Sequence, residues 1–169
     1  MRPLLLNLAV TLDGFIEGPN GEIDWCLTDQ DYGITAFLDR CDALLMGRKS
    51  YEAMLTYDPS GMPGKQKYVF SRTHRVNKAD TDFFQGDLVA EVQRLKQQEG
   101  KAIWLYGGAD VLQQCLNAGL VDELCVSIHP LLLGSGVPLY STIPRTALKL
   151  QDNVTYNTGL VQVTYAVQH

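Results

Sequence analysis

Apolar residues fall along this chain in short runs of strand length, separated by segments with helical spacing. Leu4 to Val10 is a nearly continuous apolar run broken only by Asn7, the pattern of a strand covered on both faces. Thr11-Leu-Asp-Gly14 ends it. Ile34, Phe37, Leu38 and Cys41 share one helical face, which predicts a helix over 32–40 feeding a strand over 43–46. Lys67 to Phe70 reads as the next short strand. Asp87 stands as an N-cap for a helix to Gln98 that turns Leu88, Val92 and Leu95 inward, with Gly100 as its stop. Leu124, Val126 and Ile128 alternate with Cys125, Ser127 and His129 in a later strand. The segments 147–156 and 160–167 flank Asn157-Thr-Gly159 as an antiparallel hairpin. Alternating strands and helices predict an α/β fold with a mostly parallel sheet and an antiparallel C-terminal end.

The most informative stretch is the strand Ala102 to Tyr106, which runs through Gly107 and Gly108 into a helix with Val111, Leu112, Cys115 and Leu116 on one face. A glycine pair there lets a ligand approach the backbone, and the first helical N–H groups then face it with the positive end of the helix dipole behind them. A phosphate or pyrophosphate suits such a turn, although Gly-Gly also serves as a plain tight connection. Gly47-Arg-Lys-Ser50 repeats the arrangement after the strand 43–46, now with charge from Arg48 and Lys49. Ser71-Arg-Thr-His-Arg75 follows a third strand in the same way. The irregular stretch 17–33 carries five acids and Trp25, which suits a lid or binding loop. Trp25 either stacks on a ligand or pins this loop to the core.

Composition narrows the function classes. With 169 residues, 46% of them hydrophobic, the chain suits one domain over 1–169. A formal net charge of -5 argues against a general nucleic-acid or anionic-membrane surface, so an anionic ligand has to be met by local donors. The four cysteines, Cys26, Cys41, Cys115 and Cys125, show no zinc-ligand spacing, and His129 before a proline reads as structural. No metal site is expected. Reduced thiols and a first apolar run too short for a leader point to a cytoplasmic protein. Ser135 lacks the G-x-S-x-G spacing of a nucleophile elbow.

Taken together, several spaced motifs resemble the dihydrofolate-reductase-like fold, and within it the reductase domain of bacterial riboflavin biosynthesis, the deaminase-reductase C-terminal family. They are Thr11-Leu-Asp-Gly14, Asp42-Ala-Leu-Leu-Met-Gly-Arg-Lys-Ser-Tyr51, Pro63-Gly-Lys with Val69-Phe-Ser-Arg72, Tyr106-Gly-Gly-Ala-Asp-Val-Leu, and Gly119-Leu-Val-Asp-Glu-Leu through Leu133-Gly-Ser-Gly-Val-Pro-Leu-Tyr140. The resemblance implies a three-layer α/β/α domain and a reductase using NADPH. It places Ala9, Gly47, Arg48, Lys49 and Ser50 along the cofactor, Ser71 and Arg72 at its 2′-phosphate, and Gly107, Gly108, Ala109, Asp110 and Val111 around its pyrophosphate. The dinucleotide fingerprint G-x-G-x-x-G is absent, which disfavours an ordinary Rossmann domain.

The substrate end departs from the riboflavin reductases, which carry a Lys where Asn7 stands and a basic residue where Phe15 stands. Matched against dihydrofolate reductases, Asp31 falls at the pterin-binding carboxylate and Ser127 at its hydroxyl partner. Asn7, Trp25 and Asp31 are thus the expected substrate contacts, with Asp31 and Ser127 as the catalytic pair. An acid at a helix start also reads as a cap. The first functional reading is a reductase of the 5-amino-6-(5-phosphoribosylamino)uracil type. The alternatives are a dihydrofolate or other pterin reductase and an NADP(H)-binding protein without turnover. The resemblance further implies a homodimer formed through the C-terminal sheet.

Overall fold

In the computed structural model, which describes residues 1–168, the first apolar run becomes β1 (Leu4–Thr11). Its alternate residues serve two cores: Leu4, Leu6 and Val10 pack into one and Leu5 into the other. A short β2 (Phe15–Glu17), α1 (Ile34–Arg40), β3 (Cys41–Gly47) and α2 (Arg48–Tyr57) follow. The expected helix over 32–40 starts later, because Tyr32 and Gly33 both take positive φ (50° and 77°) and break the helical path. Next come β4 (Gln66–Phe70), β5 (Thr81–Phe84), α3 (Leu88–Lys96), β6 (Ala102–Gly107) and α4 (Ala109–Asn117). Helix α3 stops two residues short of the predicted end at Gln98. The chain closes with β7 (Glu123–His129), β8 (Val137–Pro138), β9 (Ala147–Thr155) and β10 (Val161–Gln168).

Eight strands form one sheet in the order β5-β4-β3-β6-β1-β7-β10-β9. Every pairing from β5 through β7 is parallel, and β10 pairs antiparallel with both β7 and β9. Phe37 of α1 and Tyr51 and Met54 of α2 cover one face of the sheet with Leu5, Leu44, Met46 and Trp104. Leu88, Val92 and Leu95 of α3 and Val111, Leu112 and Cys115 of α4 cover the other with Leu4, Leu6, Leu45 and Leu105. The result is a helix-sheet-helix sandwich, as the α/β reading requires. Each fully buried Leu contributes roughly 1.5–3 kcal/mol by leaving water, so these two layers carry most of the favourable energy. β2 and β8 form a small second sheet. Gly136 makes that pairing possible, since a Cβ there would sit 2.0 Å from the Glu17 carbonyl oxygen.

Charges lock the N-terminal edge of the parallel strands. Arg2, 5% exposed, pairs with Asp42 and donates from Nε to the Lys101 carbonyl at 2.8 Å. Lys96 donates to Asp122 and to the Leu120 carbonyl, both at 2.6 Å, and Asp122 also accepts from the Leu4 N–H. Lys67, 2% exposed at the start of β4, donates to Asp80 at 2.6 Å. That hydrogen bond is the main reason the Asp80 carboxyl lies below its ordinary pKa.

Asp80 should therefore matter more than an average surface acid. Asp80→Asn leaves the buried Lys67 ammonium without its counter-charge, and because Asp80 itself is half-exposed and screened by water the expected destabilisation is about 1 kcal/mol in urea denaturation. Because its folded pKa is depressed, the contribution is complete above the unfolded-chain value of 3.8 and fades as pH falls through the lower folded value. The variant should lose that acid-sensitive component.

Candidate active site

Strands β3 and β6 are neighbours, yet the helices that follow them leave on opposite faces of the sheet, α2 on one and α4 on the other. Such a switch point opens a crevice at the carboxyl ends of the strands. Gly47 closes β3 and Gly108 opens α4, and a Cβ on Gly47 would lie 3.9 Å from the Gly108 nitrogen. The two helix N-termini are thus side by side. Neither has a side-chain cap: Gly47 and Gly108 stand at the N-cap positions of α2 and α4 with no side-chain hydrogen bond. Helix α3, away from the crevice, is capped in the ordinary way, with Asp87 accepting from the Ala90 N–H at 3.1 Å. The first amides of α2 and α4 are the donors an anion would use.

The glycines fit the same purpose. Gly107 has φ 127° and nothing within 4 Å of where a Cβ would stand, so its face is open. A Cβ on Gly108 would meet the Ser50 hydroxyl at 2.9 Å. The peptide between the two is cis. A cleft of about 840 Å³ begins here, and Lys49, Ser50, Gly107 and Gly108 form one end of its lining. That volume lies in the range of small-molecule sites.

The other end is built from β1, β7, β10 and the loop between β2 and α1. Asn7 and Ala9 of β1 register against Cys125 and Ser127 of β7, and Ser127 registers against Gln162 of β10. Asn7, Ala9, Asp31, Ser127 and Gln162 all line the cleft, with Trp104, Tyr106, Tyr57, Ile34 and Leu27 as its apolar walls. Trp104 is fixed by its indole N–H, which donates to the Asn7 carbonyl at 3.1 Å. Asp31 accepts from the Thr35 hydroxyl at 2.7 Å and from the Thr35 N–H at 3.2 Å. It is therefore a helix-start acceptor and a cleft carboxylate at once.

Trp25 does not line the cleft. Its N–H donates to the Glu22 carbonyl at 3.2 Å, and its ring meets His129 edge-on at 5.2 Å. His129 is buried, with Nδ1 3.0 Å from the Ser127 carbonyl oxygen. Since a carbonyl only accepts, Nδ1 carries a proton, and Nε2 finds no partner among the described residues. The far end of the loop is held by the hairpin turn, where the Tyr32 hydroxyl bonds Asp29 at 2.6 Å and Thr158 at 3.1 Å. Asp13 ties the segments 11–14 and 133–140 together by accepting from the N–H groups of Leu133 and Gly134 and from the Thr11 hydroxyl, and the Thr11 bond leads in holding its carboxyl below the usual range.

The remaining predicted residues sit at the rim or in the core. Arg72, 83% exposed, reaches Asp110 of α4 at 3.3 Å, so the segments after β4 and β6 meet above β3. Arg48 and Arg75 share one oxygen of Glu52, at 3.2 and 3.5 Å. Ser71 is buried and donates its hydroxyl to the Thr73 carbonyl at 2.8 Å. Val111 is a core side chain, so only its backbone faces the turn; Ala109 opens α4 beside it.

Residues 2–162 match the family model of the RibD C-terminal domain. The chain belongs to this family. The uncharacterised protein YyaP of Bacillus subtilis is 44% identical over 177 aligned residues, covering 97% of this chain and 94% of YyaP. Among solved structures, a candidate riboflavin biosynthesis protein from Shewanella superposes with a TM-score of 0.86 at 26% identity over 100% of both chains. A dihydrofolate reductase from Enterococcus faecalis, solved with NADP(H), superposes with a TM-score of 0.69 at 18% identity over 99% of this chain and 97% of that one. The fold is thus dihydrofolate-reductase-like, and the family agrees with a reductase.

Gln162 is a polar cleft residue that sequence reading passed over, as it did Thr28, Gln30, Tyr57 and Tyr106. Its one signal is a polar side chain alternating with Val161, Val163 and Tyr165, and only strand register sets it opposite Ser127. All four cysteines are free, and Cys26, which lines the cleft, is half-buried. Burial first, and then the Asp24 charge, push its thiol up to about 11. Cys26 should therefore react with iodoacetamide at pH 8 at least ten-fold more slowly than an unhindered thiol, as peptide mass spectrometry would measure.

Proposed function

We propose that the protein is an NADPH-dependent reductase of a small aminoheterocycle. The observation that carries the reading is the convergence of two uncapped helix N-termini at one end of a cleft whose other end holds a carboxylate and a hydroxyl between aromatic walls. The amides of Gly108, Ala109 and Asp110 suit a pyrophosphate, and Arg48 and Arg72 suit a 2′-phosphate. The contact of Arg72 with Asp110 at 3.3 Å supports the second assignment by bringing the guanidinium close to the turn. NADPH, when bound, supplies a hydride. The chain's part is to hold the acceptor carbon against it and to offer hydrogen bonds where charge develops, with Ala9 on the floor leaving room for a flat ring. Reduction of a C=N or C=O group to CH–NH or CH–OH is the reaction this arrangement suits.

Among the described residues Lys49 is the sole Lys or Arg lining the cleft, at its phosphate end, whereas Glu17 and Asp31 are carboxylates. That balance favours an uncharged heterocycle with N–H donors over a phosphorylated one, and so lends the pterin-type alternative weight over the phosphoribosyl reading. The C-terminal sheet favours a homodimer: β9 is an edge strand exposed along its length, with Leu148 and Leu150 at 43% and 50% exposure. Sedimentation at micromolar concentration should give the mass of a dimer; a monomer mass would remove this proposal.

NADPH should bind more tightly than NADH, and Arg48→Ala with Arg72→Ala should erase most of the difference, on the order of 2 kcal/mol. Equal affinities in the unmodified protein would contradict the cofactor assignment. Asp31→Asn should leave NADPH affinity nearly intact while turnover or substrate affinity falls roughly ten-fold in a panel of pterins and aminopyrimidines. Unchanged kinetics would leave Asp31 only its bonds to Thr35.

A further inference from the structure

Ser127 and Gln162 face each other across the β7–β10 pairing. The Gln162 side-chain nitrogen lies 2.9 Å from the Ser127 hydroxyl oxygen and 3.2 Å from the Tyr32 carbonyl oxygen. The carbonyl settles which end of the amide is which, since an oxygen placed there would face another oxygen. An amide NH2 has two hydrogens and cannot accept, so one hydrogen goes to Tyr32 and the other to Ser127. The Ser127 oxygen is thereby held as an acceptor from Gln162, and its own hydrogen has to point elsewhere. No acceptor for it is found among the described residues, and Ser127 lines the cleft. The same amide holds Tyr32, the neighbour of Asp31, so one side chain links the two polar groups at the substrate end.

We propose that Gln162 is a positioning residue that makes Ser127 a fixed hydrogen-bond donor toward the substrate. The cleft then reads a heterocycle by one acceptor atom set against Ser127 and an N–H set against the Asp31 carboxylate. A ligand offering a second donor to Ser127 would have to break the Gln162 bond or leave a hydrogen unpaired, which costs about as much as a lost hydrogen bond. The identity of the ligand rests on the reductase reading above; the direction of the Ser127 hydrogen does not.

Two probes that differ in one group test this: 2-amino-4-oxopyrimidine, with an acceptor at position 4, and 2,4-diaminopyrimidine, with a donor there. By calorimetry, Gln162→Met should weaken the oxo probe about five-fold and should not weaken the diamino probe, for which the freed Ser127 hydroxyl becomes an acceptor. Ser127→Ala should weaken the oxo probe by a similar factor and leave the diamino probe within about two-fold, and adding Gln162→Met to it should cost the oxo probe nothing further. Equal weakening of both probes, or a full effect of Gln162→Met in the Ser127→Ala background, would mean that Gln162 acts by packing and would overturn the proposal. Neutron diffraction on deuterated crystals of the unmodified protein decides the point without any ligand. Ser127 hydroxyl deuterium directed into the cleft supports the proposal, and deuterium directed at Gln162 overturns it. If neither probe binds the unmodified protein, the heterocycle reading fails while the neutron result still stands for or against Gln162.

Discussion

Two helix N-termini that lack side-chain caps, set side by side where the sheet changes direction, are the constraint on which the rest of this structure depends. A helix start leaves N–H groups without intrahelical partners, and they need water, a side chain or a ligand. At α3 the chain spends Asp87 on them. At α2 and α4 it places glycine instead; a Cβ on Gly108 would crowd the Ser50 hydroxyl at 2.9 Å, while one on Gly47 would make only ordinary contacts. Opposite exits of the two helices keep the strand ends uncovered between them.

The two edges of the parallel sheet divide the work. The N-terminal edge is closed by buried cations, Arg2, Lys67 and Lys96, each fixed to a carboxylate. Rigidity there lets the opposite edge carry loops with little regular structure, since the positions of β1, β3, β6 and β7 no longer depend on them. The loop 18–33 is then fastened at separate points: Trp25 against His129 near its middle, and Tyr32 against Thr158 and Gln162 at its end. Between these fastenings lie Cys26, Leu27 and Asp31, which contribute to the cleft wall.

Local chemistry made much of this legible in the sequence. The run from Ala102 through the glycine pair predicted β6, its turn and α4, because strand length, glycine and helical spacing all agreed. Asp87 predicted the α3 cap, and the alternation around Asn157-Thr-Gly159 predicted the hairpin. β5 was not legible: Phe83 and Phe84 are adjacent and half-exposed on an edge strand, so neither alternation nor a buried run marks it. The β2–β8 pair is only a few residues long and is held by contacts between distant segments. Gln162 belongs to the same class. Its meaning comes from two partners, Ser127 and Tyr32, that are 35 and 130 positions away in the chain. Asp31 was legible as either a cap or a cleft carboxylate, and its position lets it be both.

The central claim is that the uncapped amides at the β3–β6 switch point hold the pyrophosphate of NADPH and direct its nicotinamide toward Asp31 and Ser127. A crystal structure of the protein with NADPH bound tests it most directly. The account predicts the pyrophosphate within hydrogen-bonding distance of the Gly108 and Ala109 amides, the 2′-phosphate beside Arg72, and the nicotinamide ring over Ala9 in the cleft. Pyrophosphate bound away from the Gly107–Gly108 turn, or a nicotinamide outside the cleft, would contradict it.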